Sequence, residues 1–234
     1  MSKSIIDRPI YTIVNYIYAF LTTNFYFLLA NSLFIIVFFL ADFTIQNILL
    51  YYVALLPFGP AIAALFGVMG KLVRDKVIQP TKDYWYYYRK NFKVAMKYWL
   101  IQATILLILI IDIYYAQLFT SFLAPLFFIF LIVNGFIMFY AFPILTKFEV
   151  KLKNLFFVSF YANFHYFKKT LLNLTTVAAF GVIFYVLPGV ATLFITSVTC
   201  FFIMFNLQTT FGQMEQQLSY NDNQLARDNH EQIN

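Results

Sequence analysis

A chain of 234 residues that is 62% hydrophobic and only 11% charged lies outside the range of soluble globular domains, which are near half apolar and a quarter charged. The net charge of +6 would suit nucleic acid in another setting, but the positions of the basic residues assign them to membrane headgroups, and no nucleic-acid partner is expected. The single cysteine, Cys200, excludes an internal disulfide and any multi-cysteine metal site.

Lys3 and Arg8 precede the first long apolar run, and Ser4-Ile5-Ile6-Asp7 between them has the form of a capping box with Asp in place of Glu, which predicts a short interfacial helix. Span 1 is expected over about 16–41, too long for the 7–15-residue core of a signal peptide and so read as a retained signal anchor. A turn with Asp42 and Gln46 leads to span 2 at about 47–69. A basic stretch, Lys71–Lys97, comes next, then span 3 at about 98–119. Thr120-Ser121 is the expected turn into span 4, about 122–145. A second basic stretch, Thr146–Thr170, leads to span 5 at about 171–187. Pro188-Gly189 forms a turn, and span 6 covers about 190–211. Residues 213–234, rich in Gln, Asn and Asp, are expected to be a disordered cytoplasmic tail.

Basic residues occupy only alternate gaps between these runs, so the positive-inside rule fixes both termini on the cytoplasmic side. The predicted fold is an all-α integral membrane protein. Its six transmembrane helices form three hairpins, N-in and C-in, within one domain over 1–212, with interfacial helices on the cytoplasmic side.

Leu56-Pro57-Phe58-Gly59-Pro60 lies in the middle of span 2. Two prolines three apart remove backbone donors and predict a kink or break there. Such a break is either a structural kink or, as in transporters, the wall of a binding cavity. Gly59, Ala63 and Gly67 recur every four residues and give one small-residue face, for close packing within the monomer or for a homodimer. Asn24 and Asn31, seven apart on one helix face, are candidate cavity residues together with Pro57, Gly59 and Pro60. Gln102, Asn134, Asn206, Gln208 and the Thr192–Thr199 patch supply further amides and hydroxyls of the kind a sugar site uses, although interhelical hydrogen bonds account for the same residues.

In the first basic stretch, Asp83, Trp85, Arg89, Lys90, Asn91, Phe92 and Lys93 form an aromatic-basic elbow, read as a flat interfacial helix that meets a partner. Arg89-Lys90-Asn91-Phe92-Lys93 has a counterpart at an offset of seventy-two, Tyr161-Ala162-Asn163-Phe164-His165. Asp112 is expected near the outer boundary, and His165 at the inner interface. The sequence carries no nucleophile motif, paired-carboxylate arrangement, metal-ligand spacing or phosphate-binding glycine loop, so no enzyme activity and no cofactor are expected.

Pro57-Phe58-Gly59-Pro60-Ala61-Ile62-Ala63-Ala64-Leu65-Phe66, Lys71-Leu72-Val73-Arg74-Asp75 and the run from Asp83 to Lys93 together resemble the YesL family of bacterial membrane proteins. That resemblance implies six spans in the bacterial plasma membrane and an association with binding-protein-dependent carbohydrate uptake, as an accessory subunit or partner of an importer driven by a separate ATPase. It supplies no catalytic residues. The alternative is an autonomous transporter or channel that uses the broken span 2.

Overall fold

The computed structural model describes residues 9–119 and 122–231. Its elements are helical: α1 (Pro9–Ala30), α2 (Ser32–Leu40), α3 (Ile48–Ala54), α4 (Phe58–Asp75), α5 (Pro80–Phe119), α6 (Ala124–Lys147), α7 (Leu152–His165), α8 (Phe167–Val186), α9 (Pro188–Ala191) and α10 (Ile195–Glu231). A 3₁₀ turn at Ile45–Asn47 precedes α3. Among the described residues five helices are long and apolar enough to cross a membrane, and the segments Ile45–Ala54 and Phe58–Asp75, bent by 47° at the break between them, meet the same criterion only when taken together. The expected turn at Thr120-Ser121 and the capping box at Ser4–Asp7 lie outside the described residues.

α4 is the axis of the bundle. Every residue from Gly59 to Gly70 is buried, and α1, α5, α6 and α10 all pack on this one helix. Its sequence makes that role possible. Pro60 sits in the first turn, where the amide has no intrahelical partner to lose. The glycines and alanines that follow let neighbouring backbones approach closely. A Cβ added at Gly59 would lie 2.2 Å from Trp99 Cβ, and one at Gly67 would lie 2.5 Å from Tyr87 Cγ. The small-residue face therefore packs against α5 of the same chain and offers no surface for a homodimer. At its other end α4 stops at Lys76, whose φ of 63° is left-handed and whose amide donates to Leu72 O at 3.1 Å. Pro80 then opens α5 at the first helical position.

Four expectations need correction. Span 1, expected over 16–41, is two helices, because Asn31 interrupts it: the Asn31 amide is shared between Phe27 O and Leu28 O, and its Nδ2 donates to Phe27 O at 2.8 Å. A side chain that competes for carbonyls one turn back disturbs the helical ladder. The elbow at Asp83–Lys93 is not a separate interfacial helix but the first part of the unbroken 40-residue α5. Tyr84, Tyr98 and Trp99 are buried along that helix, so tertiary packing carries it through the polar stretch. Span 6 begins as the short α9 and resumes as α10 after a turn. The tail expected to be disordered continues α10 to Glu231. Extending a helix already nucleated costs no new nucleus, and Gln, Glu, Leu, Ala and Arg favour extension.

The other elements follow the expectation more closely. α6 covers span 4, α8 covers span 5, and α5 with α6 and α8 with α10 pack as neighbours. α7 is a separate helix of 14 residues between α6 and α8.

Gly59→Ala and Gly67→Ala each force a methyl group into an aromatic side chain. Each is expected to cost about 1–3 kcal/mol and to lower the thermal midpoint in detergent. Gly135→Ala, where no atom lies within 4 Å of the added carbon, is expected to leave the midpoint unchanged.

Candidate functional site

The break between α3 and α4 centres on Leu55, Leu56 and Pro57. Pro57 and Pro60 cannot donate to the carbonyls one turn before them, and the chain compensates locally. Leu56 N–H donates to Val53 O at 3.2 Å, Phe58 N–H to Leu55 O at 3.1 Å and Ala61 N–H to Pro57 O at 3.2 Å. Trp99 completes the set, its Nε1–H donating to Leu55 O at 2.7 Å. Leu55 O thus accepts from both Phe58 N–H and the indole, and the buried indole N–H finds the acceptor without which its desolvation would be costly.

A cavity of about 270 Å³ opens beside the break, walled by Phe34, Phe38, Tyr51, Leu55, Trp99 and Leu106, among others. The polar atoms of its aromatic walls are already engaged: Tyr51 OH donates to Ala41 O at 2.7 Å, and Tyr52 OH pairs with Thr104 Oγ1 at 3.0 Å. A chamber so lined suits hydrocarbon, not a hydroxyl-rich solute.

The two asparagines proposed for this cavity serve elsewhere. Asn24 is fully buried and clamps α1 to the start of α10: its Nδ2 donates to Thr192 O at 2.8 Å and its Oδ1 accepts from Ser197 N at 3.3 Å. Ser197 Oγ–H answers with a bond to Phe20 O at 2.9 Å. Asn31 lies at the α1–α2 interruption, its Oδ1 buried without a partner. The structure therefore does not gather Asn24, Asn31, Pro57, Gly59 and Pro60 into one polar pocket.

The other buried amides also join helices. Gln102 Nε2 donates to both the side-chain and main-chain oxygens of Asn134, tying α5 to α6. Asn206 Nδ2 donates to Asn173 Oδ1 at 3.0 Å and to Thr176 Oγ1 at 3.2 Å, tying α10 to α8. Tyr140 OH pairs with Thr170 Oγ1 at 3.2 Å, and Thr170 donates to Asn163 O at 3.0 Å, which joins α6, α7 and α8. Asp112 is half-buried on α5, Cys200 is buried in the core, and Tyr161 OH pairs with His165 Nδ1 at 3.1 Å. No group of three His, Cys, Asp or Glu side chains among the described residues could hold a metal ion.

The elbow divides into an inner and an outer face. Asp83 turns inward, its Oδ1 2.8 Å from Lys71 Nζ and its Oδ2 accepting from Gln79 N–H at 2.9 Å, so it caps α5 and ties it to α4. Trp85 is half-buried, edge-on to Tyr26, Tyr84 and Tyr88. Arg89, Lys90, Phe92 and Lys93 are exposed, and Asn91 is buried. The counterpart in α7 repeats this burial at three positions, with Asn163 buried and Tyr161 and Phe164 exposed, but Ala162 is buried where Lys90 is exposed. It departs in backbone path, because a break at Tyr166 separates α7 from α8 whereas α5 is continuous. Sequence reasoning did not find Trp99 as the partner of the break, or Lys147 paired with Glu215 at 2.8 Å across α6 and α10. Trp99 carried one signal, as one of only two tryptophans in the chain.

Residues 20–113, less than half of the chain, match the family described as Protein of unknown function, DUF624. The match covers the helix break and the elbow. No curated protein and no solved structure matches the chain.

Trp99→Phe keeps a ring against Gly59 and removes the donor to Leu55 O. Since Leu55 O keeps Phe58 N–H, the change is expected to destabilise the protein by about 0.5–1.5 kcal/mol, read as a lower thermal midpoint in detergent.

Proposed function

We propose that the protein is a six-span component of the bacterial plasma membrane, with both termini cytoplasmic, that acts as an accessory subunit or partner of an ATP-driven carbohydrate importer. The observation that carries the partner reading is the outer face of the first part of α5. Arg89, Lys90, Phe92 and Lys93 stand exposed on a helix whose inner face is locked to α4 by the Lys71–Asp83 ion pair and by Tyr87 against Gly67. A docking surface held rigid by its own protein loses little freedom when a partner binds.

The membrane assignment is supported by exposed apolar side chains all round the bundle, among them Phe39, Phe122, Phe157 and Tyr185, which water would penalise and lipid would not. α5 alone is 40 residues, about 60 Å, roughly twice the thickness of a bilayer core, so part of it extends into the headgroup region or beyond. Arg74, near the end of α4, shares one cavity with Lys147 at the end of α6, and Lys147 shares another with Lys151 of the α6–α7 connection and Lys90 of α5, a clustering of basic residues that the positive-inside rule assigns to the cytoplasm. The carbohydrate assignment rests on the YesL resemblance, whose three motif stretches all fall inside residues 20–113. Since the chain has no nucleotide-binding loop, the ATPase is a separate subunit.

Topology is tested with single cysteines in a Cys200→Ser background. An impermeant maleimide is expected to label Phe122→Cys on intact cells, and Lys153→Cys only after the cells are opened. The reverse pattern overturns the orientation.

Partnership is tested by affinity recovery of the full chain from native membranes, with co-purifying proteins quantified by mass spectrometry. Transporter subunits and an ATPase are expected with the wild type and are expected to be lost with Arg89→Glu and Lys93→Glu combined. Recovery of the chain alone removes the accessory reading. Solute flux into vesicles containing this protein alone would then favour an autonomous transporter.

A further inference from the structure

The apolar chamber beside the helix break is a slot between the α2–α3 hairpin and α5. Phe34, Phe38 and Tyr51 stand on one side, and Trp99, Ala103 and Leu107 on the other. Given the membrane assignment proposed above, we propose that the slot holds one hydrocarbon tail of a membrane lipid as a bound ligand, distinct from the lipid that surrounds the bundle.

Shape favours a single tail. The α5 wall runs from Trp99 to Ile110, about 16 Å at the helical rise, and the volume along it is about 270 Å³. A space so long for its volume suits an extended chain better than a compact solute. Chemistry points the same way. Every lining side chain is apolar or aromatic, and the polar atoms they carry are engaged: Tyr51 OH with Ala41 O, Tyr52 OH with Thr104 Oγ1 and Trp99 Nε1–H with Leu55 O. Ordered water needs several polar partners, and an empty slot would forfeit dispersion contacts along its whole lining. Hydrocarbon meets neither objection.

The slot is also formed in advance. The Tyr52–Thr104 bond crosses from α3 to α5, and the Trp99–Leu55 bond ties α5 to the break, so two fixed links set the spacing of the walls. A tail that enters such a space orders little of the protein, which keeps the cost of binding low. Its mouth faces the lipid side. Phe38 and Phe43 line the slot and are exposed, and Phe39 and Leu40 beside them carry the apolar surface outward. The far wall is closed, with Trp99 only 3% and Ala103 only 6% exposed.

The test uses the full chain with Trp85→Phe, which leaves Trp99 as its one tryptophan, in vesicles of phosphatidylcholine with brominated tails. Bromine quenches an indole that it touches, and surrounding lipid reaches so buried a ring poorly, so quenching of Trp99 is expected to report a tail in the slot. Ala103→Phe fills the slot from α5 and is expected to abolish that quenching. Leu107→Phe, at a half-buried position of the same wall, is expected to lessen it, so the result does not hang on one variant folding. The reference is a tryptophan at an exposed position of α6 that does not line the slot, Phe128→Trp with Trp85→Phe and Trp99→Phe. It is expected to be quenched with or without Ala103→Phe. Quenching at position 128 with none at Trp99, or quenching of Trp99 that both filling variants leave intact, overturns the bound tail and leaves the membrane assignment standing. No quenching at either position overturns the membrane assignment, and the bound tail with it.

Discussion

The close approach of α5 to α4 is the constraint on which the rest of the molecule depends. It requires hydrogen, not a methyl group, at Gly59 and Gly67, because Trp99 and Tyr87 already fill the space a side chain would take. In a bilayer no hydrophobic drive separates protein from lipid tails, so association rests on packing and on interhelical hydrogen bonds. A helix with its small residues in register with two aromatic rings gains the first without a polar group. Once α5 is fixed on that face, α6 follows through Gln102 and Asn134, and α7 through the rings of Phe156 and Tyr98.

Trp99 serves two purposes that would otherwise conflict. A double-proline break frees backbone carbonyls in the middle of an apolar helix, where water is absent. The residue that occupies the space left by Gly59 also donates its indole proton to Leu55 O, the carbonyl at the break. The glycine therefore serves the break as well as helix packing: a larger residue at 59 would push away the side chain that gives Leu55 O its second donor. This ties the prolines, the glycine and the tryptophan into a single structural unit and explains why a conspicuous helix break opens onto an apolar chamber.

The sequence made the apolar runs, the break at Pro57 and the small-residue face of α4 legible, because each depends on residues within a few turns of one another. What it hid depends on distant partners. Asn24 reads as a free polar group on a helix face until Thr192, 168 residues away, is seen to take its amide proton. The aromatic cluster around Tyr84 reads as a headgroup belt, since Tyr and Trp favour that depth. Only the register with α1 and α4 shows Tyr84 buried, stacked on Tyr26 and reaching Ala61 O at 3.4 Å. The interruption at Asn31 gave a weak signal, a single amide in an apolar run, and its effect comes from a bond to the carbonyl four residues back. The candidate cavity failed for the same reason: a shared helix face does not reveal which neighbour claims each amide.

The two ends of the bundle differ in how firmly they are held. At the basic end, ion pairs join α4 to α5 and α6 to α10, and Tyr140 with Thr170 joins α6 to α8. At the other end, α2 and α3 share only a small cluster of Val37, Tyr51 and Ala54, and Phe39, Leu40, Phe122 and Tyr185 stand exposed. Lipid tails can surround such an end without any ordered partner. A protein or a headgroup that must be recognised needs fixed donors and charges, because each side chain ordered on binding subtracts from affinity. The cross-linked basic end already holds Asp83, Lys147 and the backbone of α5 in place, so a partner that met the exposed elbow face would have little to order there.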